Sequence, residues 1–78
     1  MKSAEIYEKL QHQNAGLLKL ISAELKSHET RAKKGGLHYG YVGDLEHVKQ
    51  LLKELLTSLR GADDETKMHA QIEEEISK

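Results

Sequence analysis

The sequence contains no cysteine, proline, tryptophan or phenylalanine, and three tyrosines are its only aromatic residues. Without cysteine there is no disulfide scaffold, no thiolate metal ligand and no cysteine nucleophile. Without proline there is no Pro-rich recognition segment, and nothing in the chain forbids helix outright. Long apolar runs are missing too. The densest cluster, Leu17-Leu18 and Leu20-Ile21 around Lys19, falls far short of the roughly 20 residues that cross a bilayer. Met1 to Glu5 lead into no apolar stretch of the secretory kind, and Ile76-Ser77-Lys78 offers no prenylation site. The expectation is a cytoplasmic protein without a membrane partner.

What is present is a short, charged chain of 78 residues, 32% charged and 37% hydrophobic, with a formal net charge of −1. Leu, Ile and Val together number 18, just above the level at which disorder becomes the default. A single core in so short a chain rarely contributes more than about 3–5 kcal/mol. With disulfides excluded, a second copy of the chain or a helical partner is the expected source of further stability. The near-zero net charge hides an asymmetry: residues 1–34 carry +3, residues 44–60 carry zero and residues 61–78 carry −4. The basic first third and the acidic tail are expected to attract each other, within one chain or between copies.

Hydrophobic spacing predicts an all-α fold within one small domain spanning residues 1–78. It consists of a long helix, a Gly/Tyr loop, a second helix forming a hairpin with the first, and a weaker C-terminal helix, completed as a three-helix or dimeric bundle. The first helix covers about residues 4–34, with Ser3 as its N-cap. Tyr7, Leu10, Asn14, Leu17 and Ile21 alternate at three- and four-residue spacings, and the helix ends in Arg31, Lys33 and Lys34 before Gly35-Gly36. Asn14-Ala15-Gly16 is a possible turn, but Leu10 to Leu17 is one heptad and the phase runs through it, so one continuous helix is expected. An Asn at a seam position also suits a helix that pairs with another, where it fixes register.

Residues 35–43 read as a loop in which glycines take positive φ while Leu37, Tyr39, Tyr41 and Val42 fold back on the hairpin end. Asp44 is the expected cap of the second helix, about residues 45–60, whose Leu45, Val48, Leu52, Leu55 and Leu59 follow a strict coiled-coil spacing. Leu51 and Leu56 widen that stripe enough to touch two neighbours. Gly61 stops it. Asp63 or Asp64 caps a third helix, about residues 65–76, with a thin stripe of Met68, Ile72 and Ile76. Glu73-Glu74-Glu75 stands where the helix dipole disfavours negative charge, so this helix needs docking to persist.

Catalytic and metal chemistry find little support. Five histidines are present, yet none is four residues from another, and neither H-E-x-x-H nor a Glu-x-x-His di-iron pattern occurs. Glu8/His12, Glu24/His28 and Glu65/His69 are explained as helix-supporting pairs. No serine stands in a nucleophile elbow. No catalytic residue, metal site or cofactor is therefore expected. The expected function is that of a small non-enzymatic interaction protein, of regulator or adaptor type, that associates with itself or with a helical partner. Its interaction face is Tyr7, Leu10, Leu17, Ile21, Val48, Leu52, Leu55 and Leu59. The alternative is a binder of a small anion or nucleic acid through Lys33, Lys34, His38, Tyr39 and Tyr41 at the basic end of the first helix and in the loop. Nucleic acid is disfavoured by the low net charge and the lack of aromatics interleaved with the cations.

Overall fold

Helix is the default for a chain with no proline and few β-branched residues, and helix is what forms. In a computed structural model that describes residues 2–36 and 38–77, the protein is all-α, built from α1 (Lys2–Gly35), α2 (Tyr39–Arg60) and α3 (Glu65–Ile76). The chain falls into two compact units, residues 1–38 and 39–78. Unit one is α1 with the residues that end it, and unit two is the α2–α3 pair.

α1 has 34 residues and is about 51 Å long at 1.5 Å per residue. It runs unbroken through Asn14-Ala15-Gly16. An added Cβ at Gly16 would meet nothing within 4 Å, so this glycine answers no packing demand and costs the helix about 1 kcal/mol relative to alanine. Ser3, expected as the cap, lies inside the first turn instead. The C-terminal end follows the sequence signal: Lys33 and Lys34 occupy the last turn near the negative end of the dipole. The chain leaves the helix at Gly36, whose φ of +89° suits a residue without a side chain.

The loop expected over residues 35–43 is much shorter. α2 begins at Tyr39, six residues before the expected start, so Tyr39, Gly40, Tyr41, Val42 and Gly43 are helical and Asp44 lies inside the helix rather than capping it. The physical reason is the stripe. Tyr41 is half-buried and stands seven and eleven residues before Val48 and Leu52, on the same helical face, so another turn of helix aligns one more side chain with them. That alignment outweighs the helix cost of Gly40 and Gly43. The expected folding-back of Leu37 lies outside the described residues.

Gly61 ends α2 as expected. Its φ is +65°, its N–H donates to the Ser58 carbonyl at 3.1 Å, and the Ala62 N–H donates to the Thr57 carbonyl at 3.3 Å. These two bonds make a Schellman closure. Three residues later Asp64, with extended backbone, accepts a hydrogen bond from the Lys67 N–H at 3.1 Å and caps α3.

α3 packs on α2 through one buried side chain and a set of ion pairs. Ile72 is 2% exposed. Beside it Glu73 accepts from both Lys49, at 2.8 Å, and Lys53, at 3.0 Å. Glu75, the penultimate residue of α3, receives a two-pronged contact from Arg60, at 2.6 and 3.0 Å, and Arg60 also reaches the Met68 sulfur at 3.5 Å. The buried Thr57 hydroxyl is satisfied within its own helix, donating to the Lys53 carbonyl at 2.7 Å. The acidic run that conflicts with the α3 dipole is thus held by α2. The cations come from the stretch of zero net charge, where the sequence had suggested the basic first third.

The two lysine hydrogen bonds hold the Glu73 carboxyl below the ordinary carboxylate range, and the Arg60–Glu75 bond raises the guanidinium further above its already high value. Because the folded state keeps Glu73 ionised longer than the unfolded state does, its stabilising effect is complete above the unfolded pKa. That effect is lost as pH falls through the lower, folded one.

Two outcomes follow from this packing. Ile72→Ala is expected to cost about 2–4 kcal/mol, enough to release α3, so that amides 65–76 lose hydrogen-exchange protection while those of α1 keep theirs. Unchanged protection would show that the docking does not depend on Ile72. Acid titration followed by circular dichroism is expected to show helix loss from α3 beginning below about pH 4, with that step reduced in Glu73→Gln. An identical titration in the variant would remove Glu73 as its cause.

Candidate interaction surface

At 100° per residue, Tyr7, Leu10, Asn14, Leu17, Ile21, Leu25, His28 and Ala32 fall within an arc of about 80° on α1. They form one face along most of the helix, with the heptad spacing relaxed once after Ile21. Burial divides that face sharply. Leu25 and His28 are half-buried and Ala32 is 4% exposed. In contrast, Tyr7, Leu10, Leu17 and Ile21 on that face, and Ile6, Leu18 and Leu20 outside it, are 37–65% exposed. Tyr7 also accepts a hydrogen bond at its hydroxyl from the Gln11 amide, 3.3 Å away, one turn along the helix. Ile6, Tyr7 and Leu10 make one exposed apolar cluster and Leu17, Leu18, Leu20 and Ile21 a second, with Gln11 to Gly16 between them, and exposed apolar side chains grouped in this way mark contact surfaces in soluble proteins.

The expected face on α2 is divided in a similar way. Val48 and Leu52 are half-buried, as is Leu56, whereas Leu55 and Leu59 are exposed, with Leu59 77% so. Leu45 and Leu51 are exposed as well. Within unit two, α3 accounts for only part of the wide stripe. Lys49, Lys53 and Arg60, which hold α3, escaped the reading of the sequence. The signal was present in three glutamates at the unfavourable end of α3 and three cations spaced four and seven residues apart on α2.

With the early start of α2, the residues proposed as a ligand loop belong to different elements. Lys33 and Lys34 are in the last turn of α1, and Lys33 lies 3.6 Å from Glu29 one turn earlier. His38 lies between helices, while Tyr39 and Tyr41 belong to the first turn of α2, Tyr39 exposed and Tyr41 half-buried. The Gly/Tyr loop expected over residues 35–43 therefore does not include the two tyrosines, which are helical.

Unit two also holds an open cleft of about 220 Å³ at the α2–α3 turn, lined in part by Glu54, Thr57, Ser58, Glu65 and His69. The Thr57 hydroxyl is committed to the Lys53 carbonyl. Among the described residues no group of three or more His, Asp or Glu side chains could hold a metal ion. No helix among them is long and apolar enough to cross a membrane. No family model, no curated protein and no solved structure matches the chain.

Proposed function

We propose that the protein is a small non-enzymatic interaction module, of regulator or adaptor type, acting through helix-to-helix contact and associating with itself. One observation carries this reading: Ile6, Tyr7, Leu10, Leu17, Leu18, Leu20 and Ile21 of α1 are 37–65% exposed. Leaving such a face in water forgoes the main favourable contribution to association, roughly 25 cal/mol per Å² of apolar surface removed from water. The exposed Leu55 and Leu59 on α2 provide a second, smaller apolar surface.

Anion or nucleic-acid binding at the basic end of α1 is the weaker reading. It placed Tyr39 and Tyr41 in a loop with His38, after Lys33 and Lys34, and those tyrosines are helical.

Solution mass tests the reading directly. Light scattering after gel filtration, at two protein concentrations and two salt levels, is expected to give a mass above that of the monomer. That mass should rise with concentration and change little with salt, because the surface is apolar. Leu10→Asp is expected to weaken association at least tenfold, about 1.4 kcal/mol or more. A wild-type protein that remains monomeric at every concentration would refute self-association.

A further inference from the structure

α3 does not use all of the surface on which it lies. At 100° per residue, Val42, Leu45, Lys49, Lys53, Leu56 and Arg60 fall within an arc of about 80° on α2 and run along it for about 27 Å. Three of them are the cations that hold Glu73 and Glu75, and Leu56, between Lys53 and Arg60 on that arc, is half-buried. α3 has 12 residues against 22 in α2, and its contact with Lys49 is made by Glu73, three residues before its end. Leu45 and Val42 lie one and two turns farther along the same face and are 46% and 45% exposed.

The attachment of α3 is of a kind that a competitor can replace. Ile72 is buried, but Ile76, the next apolar residue of its stripe, is 58% exposed. The ion pairs join partly exposed groups, each of which contributes little and can be exchanged for another carboxylate. Charge decides the kind of competitor. Cations spaced four and seven residues apart beside leucine and valine match a helix whose carboxylates border an aliphatic stripe. α3 itself shows the fit, with Glu73 and Glu75 flanking Ile72 on either side of its helix. We propose that α3 is a short occupant, in cis, of a surface on α2 that takes a longer acidic helix in trans. Such a partner carries an aliphatic side chain in the place of Ile72, glutamates flanking it, and about two further turns whose apolar residues cover Leu45 and Val42. It gains the surface that α3 leaves open. α3 must leave before it binds, so the contact within the single chain is autoinhibitory. This face of α2 is separate from the exposed clusters of α1, and the inference does not depend on self-association.

The probe is a labelled synthetic peptide with the sequence of residues 64–76, extended by two helical turns that place leucine three and seven residues after its last isoleucine. Its binding to the full chain is read by fluorescence anisotropy. Docked α3 lowers the competent fraction, so Ile72→Ala is expected to bind the peptide about tenfold or more tighter than the wild-type chain. The peptide without the extension is expected to bind about tenfold or more weaker, because Leu45 and Val42 stay in water. Lys49→Glu with Lys53→Glu is expected to abolish binding, and added salt to weaken it. Equal affinity for the wild-type and Ile72→Ala chains would overturn the inference, as would binding that survives the two lysine substitutions. If circular dichroism shows that Ile72→Ala unfolds α2, Glu73→Gln loosens the same contact and is expected to act in the same direction. Preferential capture of a double-stranded DNA probe by the Ile72→Ala chain would assign the cations to phosphate and overturn the helical partner. A monomeric mass for the unmodified protein would refute self-association and leave this inference standing.

Discussion

The constraint behind this structure is a mismatch between the length of one helix and the apolar surface available to cover it. α1 is an amphipathic rod of 34 residues in a chain with only 18 Leu, Ile and Val residues in total. These 78 residues offer few apolar side chains to cover a face that long, because short domains bury a small share of their surface. Burial is accordingly concentrated at few positions, with Ala32 and Ile72 the buried apolar side chains among the described residues. The open segment of α1 follows from that shortage.

Unit two meets the same shortage by different means. α3 has 12 residues and a thin stripe, so its attachment combines one isoleucine with charge pairing to α2. Partly exposed ion pairs contribute little each and are screened by salt, but they are directional. Glu73 between two lysines and Glu75 gripped by a guanidinium fix the rotation and register of α3, which a lone Ile72 could not.

Much of this was legible in the residues. The continuity of α1 through Gly16 could be read from the unbroken phase between Leu10 and Leu17, because periodicity survives a residue of poor propensity. The α2 terminus at Gly61 was legible, and the α3 cap was narrowed to Asp63 or Asp64, because each is a local device, complete within about six residues. The start of α2 was not. Gly40 and Gly43 are equally compatible with a loop and with helix, and the choice depends on packing of Tyr41 that no local rule contains. The Glu73 and Glu75 partners were hidden for a related reason: they lie 15 to 24 residues away, and sequence shows only that the glutamates are misplaced, not what compensates them. The apolar face of α1 was visible as a pattern, while the exposure of its large side chains between residues 6 and 21 required coordinates.

The four-residue connection from Gly61 to Asp64 has a kinetic consequence. It closes α2 onto α3 over a very short span, so the hairpin requires little loop-closure entropy and its contacts are local. Helical units of that kind fold in microseconds to milliseconds. Encounter between two protein molecules at a rate constant of about 10⁶ M⁻¹s⁻¹ takes on the order of a second at micromolar concentration. Unit two therefore reaches its final form long before a second molecule arrives. Any molecule that meets this chain at such concentrations meets a C-terminal half whose local contacts are already made.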